Sequence, residues 1–175
     1  LFLHILCTLI SLGWLYALFR SLRAMRRKRY ELDSESPKAS VGPLISIVIP
    51  ARNEERNIEA CVLSAIEQDY EKIEVIVLDD ASHDQTPVLL EALLEKYTNL
   101  TVLKGDGSPL PAGWFGKPWA LERAQKKAKG SWLVFVDADV VLTPQVISRC
   151  LFYARHHDLE MVTGLGNLVM KSFWE

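Results

Sequence analysis

The stretch Leu44-Ile-Ser-Ile-Val-Ile-Pro-Ala-Arg-Asn53 decides the fold. Leu44–Ile49 is short, apolar and β-branched, the pattern of a strand buried on both faces. Pro50 is expected to stop it. Asn53 is expected to cap the next helix, with Glu54 and Glu55 in a first turn that suits acids. Ile58, Cys61, Val62, Ala65 and Ile66 then recur at helical spacing. Ile73–Leu78 repeats the buried strand and runs into Asp79-Asp80. Thr86–Tyr97 reads as a helix and Leu100–Leu103 as a third strand. A loop from Lys104 to Gly116 follows, carrying Gly105, Gly107, Pro109, Pro111 and Gly113. Lys117–Lys129 is helical, with Pro118 at its second position, where a missing N–H costs little. Trp132–Val136 is a strand that runs into Asp137-Ala-Asp139. Pro144–His156 is a helix, and Met161–Thr163 is expected to open a further strand.

Strands and helices alternating at this spacing give the α/β class: an open, mainly parallel sheet with helices on both faces. In such sheets ligands bind beyond the carboxyl ends of the strands. Pro50–Asn53, Asp79–Asp80 and Asp137–Asp139 all fall at those ends, so three motifs converge on one edge.

Each motif has a chemical and a plainer reading. Asp137 and Asp139, two residues apart, repel unless a cation or proton lies between them. A hard divalent ion such as Mg2+ or Mn2+ takes oxygen ligands and shares them with substrate phosphates. The plainer reading is a polar turn in which Asp caps the next segment. Asp79-Asp80 either supplies a second metal site, recognises a nucleotide edge, or forms a turn before the helix. Arg52 and Asn53 are candidates for a diphosphate or a base, although a cap also explains Asn53. Lys117 at a helix start opposes the helix dipole, which suits a phosphate-binding use. Trp114, Phe115 and Trp119 crowd one loop, where they either line a sugar or lipid site or pack the loop down.

The front of the chain is different. Leu1–Phe19 carries no charged side chain and is apolar apart from His4, Thr8 and Ser11. Roughly 20 such residues cross a bilayer core as a helix, and Trp14 and Tyr16 suit an interface. Arg20, Arg23, Arg26, Arg27, Lys28 and Arg29 follow at once, a basic collar that places residues 20–175 in the cytoplasm and suits anionic lipid headgroups. A polar linker with Ser34, Ser36, Pro37, Ser40 and Gly42 leads to the first strand. The overall charge of −2 is therefore an average: the body from residue 30 onward holds 14 bases and 22 acids. The sequence begins at Leu1 and closes on Lys171-Ser-Phe-Trp-Glu175 without a tail, and is expected to be incomplete at both ends.

Several classes are excluded. No G-x-G-x-x-G follows the first strand and no P-loop is present, which argues against dehydrogenases and P-loop NTPases. Cys7, Cys61 and Cys150 are too scattered for a disulfide framework or a metal site. His83, His156 and His157 lack zinc spacing and are expected at the surface. An acidic body whose basic patch abuts the membrane does not suit nucleic acid.

Ile47-Val-Ile-Pro-Ala-Arg-Asn-Glu54, Val77-Leu-Asp-Asp-Ala-Ser82 with Asp84 and Thr86, and Val134-Phe-Val-Asp-Ala-Asp139 together resemble the family 2 glycosyltransferases of GT-A fold, a Rossmann-like architecture. The resemblance covers residues 44–165. Gly113-Trp-Phe-Gly-Lys-Pro-Trp-Ala120 is similar to the membrane-anchored branch that includes hopanoid-associated and carotenoid glycosyltransferases. The organisation this implies is an anchor (1–19), a collar and linker (20–43) and a partial nucleotide-sugar-binding domain (44–175). The resemblance implies that Asp80 meets the uracil of a UDP-sugar, with Pro50, Arg52 and Asn53 on the same wall. Asp139 and Asp137 would hold Mg2+ or Mn2+ against the diphosphate, and Lys117 would lie near the phosphates. Transfer to a lipid or polyisoprenoid acceptor would proceed with inversion. The family's general base is expected beyond Glu175, so residues 1–175 alone are expected to be inactive. Two other readings stay open: a processive polysaccharide synthase of the same family, and a non-catalytic, nucleotide-binding membrane scaffold.

Overall fold

The computed structural model describes residues 2–25, 35–39, 41–105, 107–164 and 166. Leu1, the collar residues Arg26–Arg29, most of the linker before Glu35, and Lys171–Glu175 lie outside the described residues. The chain divides into two compact units, residues 1–34 and 35–175.

The described residues of the first unit form α1 (Phe2–Met25). Ile10, Leu12, Trp14, Leu15, Tyr16, Leu18 and Phe19 are all exposed on it. Among the described residues no helix is long and apolar enough to cross a membrane; the side chains of residues 2–7, 9, 21, 22, 24 and 25 are outside that set.

The second unit runs β1 (Ile45–Ala51), α2 (Ile58–Ile66), β2 (Ile73–Asp79), α3 (Thr86–Leu94), β3 (Leu100–Lys104), α4 (Gly116–Gln125), β4 (Trp132–Phe135) and α5 (Val146–His156). The sheet order is β3-β2-β1-β4, and every pairing is parallel. The chain builds outward from β1 through β2 to β3, then crosses back to lay β4 on the other side of β1. That crossover carries α4 onto the opposite face from α2, α3 and α5. Ile45, Ile47 and Ile49 of β1 pack on one side with Val75, Val77, Ile58, Val62, Leu90 and Ile147. Val48, Ile76 and Leu78 pack on the other with Ala120 and Ala124. Burial on both faces explains the unbroken apolar runs, and each fully buried Ile or Val contributes roughly 1.5–3 kcal/mol.

Several sequence expectations shift. β1 does not stop at Pro50 but continues through Ala51, paired to Leu78 and Asp79. Val48 O accepts from Val136 N on the β4 side, so Pro50, two residues on, directs its missing N–H to that side. There the β4 ladder has already ended at Phe135. Asn53 caps no helix: α2 starts at Ile58, and Asn53 lies at φ 56°. A turn intervenes, with Asn57 N and Ile58 N both donating to Glu54 O (2.9 Å). α2 spans the apolar period from Ile58 to Ile66 as read, whereas α3, α4 and α5 are shorter than expected, and Pro118 is the third residue of α4. Met161–Thr163 is not a strand; it has no ladder partner among the described residues, and extended backbone without one gains nothing from being straight.

Ser46 is fully buried within an apolar strand because it has work at the end of the α4 crossover. Its Oγ donates to Glu74 Oε1 (2.6 Å) and accepts from Gly130 N (2.8 Å). Glu74 Oε1 also accepts from Lys129 N (2.6 Å) and Gly130 N (3.2 Å). A Cβ on Gly130 would lie 2.7 Å from both Ser46 N and Oγ and 2.8 Å from Leu44 O. Residues before β1 are tied to the same body: Lys38 Nζ to Asp69 Oδ2 (2.8 Å), Ala39 N to Ser148 O (3.0 Å) and Tyr70 Oη to Pro43 O (2.7 Å).

Two predictions follow from the Ser46–Glu74–Gly130 junction. Gly130→Ala forces backbone against backbone and should lower stability by about 1–3 kcal/mol, read as a drop in urea midpoint; an unchanged midpoint would refute the close approach. Desolvation pushes the Glu74 carboxyl up, but the hydrogen bonds from Ser46, Lys129 and Gly130 outweigh it and hold the group below its usual 4.5. A depressed folded-state value means stability that is present above the unfolded value and lost as pH falls through the folded one. The stability gap between wild type and Glu74→Gln should therefore narrow as pH drops from about 6 to about 3. A gap that stays constant over that range would show that Glu74 does not carry it.

Candidate functional site

The site forms where the sheet order reverses. β1 and β4 are neighbours whose connections leave in opposite directions, and the loops beyond their carboxyl ends part to leave a cleft. The cleft is about 370 Å3, lined by Pro50, Ala51, Arg52 and Glu54 after β1 and by Asp80 after β2. Gly116, Lys117 and Ala120 of α4 and Asp137–Asp139 after β4 complete it.

Parallel register sets the first pairing. Ala51 lies opposite Asp79, and Asp80 N donates to Ala51 O (2.8 Å). Arg52 and Asp80 therefore leave their strands side by side, with Arg52 Nη1 3.6 Å from Asp80 Oδ2. Arg52 is open to solvent and Asp80 is half-buried, and at 3.6 Å the pair fixes orientation more than it stabilises. Gly116 brings the start of α4 to the same wall, since a Cβ there would sit 3.8 Å from Asp80 Oδ2. Lys117 follows, and its Nζ lies 2.7 Å from Asp137 Oδ1. This ion pair accounts for a lysine in a first helical turn. Asp139 is exposed and has no hydrogen-bond or ion-pair partner among the described residues.

The β1 and β2 loops are sewn together by their side chains. Asn53 N donates to Ser82 Oγ (2.9 Å), while His83 N donates to Asn53 Oδ1 (2.8 Å). Glu54 N donates to Thr86 Oγ1 (2.9 Å), Glu55 N to Asp84 Oδ2 (3.1 Å) and Gln85 N to Glu55 Oε2 (3.0 Å). Asp84 Oδ1 also accepts from Thr86 N (3.0 Å). Slight desolvation raises the Asp84 carboxyl, and the hydrogen bonds from Thr86 and Glu55 overcome it, leaving the group below its usual value. Asn53 at φ 56° and Ala81 at φ 55° are the left-handed positions this reciprocal fit requires. Asn accepts that conformation readily and Ala at some cost.

Pro50, Arg52, Asp80, Lys117, Asp137 and Asp139 thus come together, as their convergence on one sheet edge required. Asn53 does not line the cleft; it holds the loop that does. Asp79 turns away too, its buried carboxylate accepting from Ser82 N (3.1 Å), so the turn reading fits it and the second-metal reading does not. Glu54 was missed as a lining residue. Trp114 and Trp119 pack on each other edge to face at 5.1 Å, Phe115 points outward, and none of the three lines the cleft. His83, His156 and His157 are exposed, as expected.

Among the described residues no three His, Cys, Asp or Glu side chains gather closely enough to hold a metal ion by themselves. The donor set nevertheless fits a hard divalent ion in the mode such ions use with nucleotides, one or two carboxylates plus phosphate oxygens and water. Asp139 has no hydrogen-bond or ion-pair partner among the described residues, and Asp137 is paired with the exposed Lys117. Beneath them Cys61 is fully buried and donates to Asp137 O (3.4 Å). Burial pushes its thiol up to about 12, with the Asp139 carboxylate adding to it, so it remains a donor.

The glycosyl transferase family 2 profile matches residues 46–169, which contain every lining residue named above. The chain belongs to glycosyl transferase family 2. The family 2 chain is 31% identical over 119 residues to 4,4'-diaponeurosporenoate glycosyltransferase of Staphylococcus haemolyticus, covering 67% of this chain and 30% of that protein. It is 34% identical over 115 residues to the poly(ribitol-phosphate) β-N-acetylglucosaminyltransferase TarS of Staphylococcus aureus, covering 64% and 19%. Among solved structures it is similar to the mannosyltransferase PcManGT of Pyrobaculum calidifontis in complex with GDP-Man and Mn2+. That likeness has a TM-score of 0.65 at 25% identity, over 84% of this chain and 42% of that one. TarS in complex with UDP-GlcNAc matches with a TM-score of 0.55 at 28% identity, over 66% and 32%. The family 2 chain spans less than half the length of each, and its sheet is of the GT-A fold expected from the three motifs.

Proposed function

We propose that the cleft between β1 and β4 binds the nucleoside diphosphate of a sugar donor, probed first with UDP, as the donor half of a metal-dependent, inverting glycosyltransferase. The observation that carries this is the meeting of Arg52, Lys117, Asp80, Asp137 and Asp139 at the switch point of the sheet. Relatives bound to UDP-GlcNAc and GDP-Man support a nucleotide-sugar ligand. Arg52 and Lys117 offset the charge of a diphosphate, and the start of α4 adds backbone N–H groups. The Asp80 carboxylate accepts hydrogen bonds from a base or ribose. Asp139 and Asp137 would hold Mg2+ or Mn2+; bound there, the ion stabilises charge on the departing nucleoside diphosphate.

The acceptor in this reading is a lipid or polyisoprenoid at the cytoplasmic face of a membrane. Support comes from α1, whose 24 residues extend roughly 36 Å at the helical rise. Its described apolar residues from Ile10 to Phe19 are exposed on every side, and Arg20 and Arg23 follow. A helix without a polar face has nothing to gain from lying on water.

Titration of UDP and GDP with and without Mn2+ tests the donor site. Asp139→Ala should abolish the metal-dependent gain, at least about tenfold in affinity, or 1.4 kcal/mol. Unchanged Mn2+ dependence in that variant would overturn the metal assignment. For the anchor, carbonate washing of membranes from cells making residues 1–175 should leave the protein in the pellet, and release into the wash would end the spanning reading.

A further inference from the structure

Asp137 and Asp139 sit on a segment that the sheet scarcely holds. β4 ends at Phe135, and its last tie to the ladder is Val136 N to Val48 O (3.1 Å). From there the chain runs without strand or helix to Val146. Its backbone polar groups find partners instead on one stripe of α2 and the residues just after it. Cys61 Sγ donates to Asp137 O (3.4 Å). Ser64 Oγ accepts from Leu142 N (3.0 Å) and donates to Cys61 O (2.8 Å). Gln68 Nε2 donates to Thr143 O (2.9 Å) and Ser64 O (2.8 Å), while its Oε1 accepts from Ile147 N (3.2 Å). Spacings of three and four place these side chains above one another. Gln68 is 8% exposed, so each of its hydrogen bonds replaces one to water that burial removed.

We propose that Ser64 and Gln68 are positioning residues: together with Cys61 they clamp residues 137–147 onto α2 and so hold the Asp137 and Asp139 carboxylates over the cleft for a cation-bearing nucleoside diphosphate. This rests on the donor-site reading above. None of the three clamp residues lines the cleft. The clamp acts by fixing the backbone behind two carboxylates that have, between them and among the described residues, one ion pair, to Lys117. A polar clamp suits this place better than an apolar one, because it specifies register residue by residue along an irregular segment.

Ser64→Ala removes one partner of Leu142 N at a half-buried site and leaves the core intact. Titrations of UDP against Mn2+ should show the half-saturating metal concentration rising about fivefold, the scale of one lost hydrogen bond. Metal-free UDP affinity should stay as in wild type, and Ser64→Thr, which keeps the hydroxyl, should restore the metal dependence. Hydrogen exchange at residues 137–143 should quicken in Ser64→Ala but not at β1 or β2. Tyr70→Phe, which removes the bond to Pro43 O on another part of the body, should lower stability without moving the metal dependence. Wild-type metal dependence in Ser64→Ala, or an equal shift in Tyr70→Phe, would overturn the proposal. If wild type itself binds UDP without regard to Mn2+, the metal reading fails separately. The exchange rates then decide the clamp, and unaltered exchange in Ser64→Ala sinks it.

Discussion

The parallel register that sets Ala51 opposite Asp79 is the constraint on which the site depends. Because β1, β2 and β4 run the same way, their carboxyl ends share one edge, and whatever follows them must meet. A slip of one residue would turn every side chain to the other face. It would bury Ser46 and Glu74 among the residues packed on α2 and pull Arg52 away from Asp80. Burial of β1 and β2 on both faces penalises that slip on two sides at once. Pro50 fits the same logic, being placed where the ladder to β4 has ended and no N–H is missed.

Loops fixed at one end by such a ladder still need fixing at the other. The structure does this with side chains instead of further strands. Asn53, Glu55, Ser82, Asp84 and Thr86 satisfy one another's loops between β1 and β2, and Cys61, Ser64 and Gln68 hold the stretch after β4. Half-buried backbone groups that lack a ladder, such as Glu54 N, Thr86 N, Leu142 N and Thr143 O, must find such partners. That demand accounts for Thr86, Asp84, Ser64 and Gln68 beside the cleft.

Much of this was legible in the sequence, and the limits of legibility have physical causes. Strands buried on both faces announce themselves by runs such as Ile45–Ile49 and Val75–Leu78, and the acids at their ends mark the edge where ligands bind. Asn53 misled because Asn favours both a helix cap and the left-handed conformation. The choice between them was made by Ser82 and His83, thirty residues away. Ser64 and Gln68 carry no local signal at all, since their partners lie at Leu142, Thr143 and Ile147. Met161–Thr163 has a strand's composition, but a strand exists only with a neighbour to pair with.

The charge of the cleft ties these parts together. Glu54, Asp80, Asp137 and Asp139 bring four carboxylates to a space that Arg52 and Lys117 answer with two cations. A diphosphate brought there alone would meet more repulsion than attraction. Four carboxylates against two cations leave an excess of two negative charges, which a divalent ion bound as in the proposed donor site would cancel. It also explains why the group beneath the carboxylates is a buried thiol. Cys61, held protonated by burial and by the acids above it, supplies a hydrogen-bond donor to Asp137 O without a charge. A lysine or arginine in its place would neutralise the carboxylates from below and would compete with a divalent ion bound in the proposed donor site.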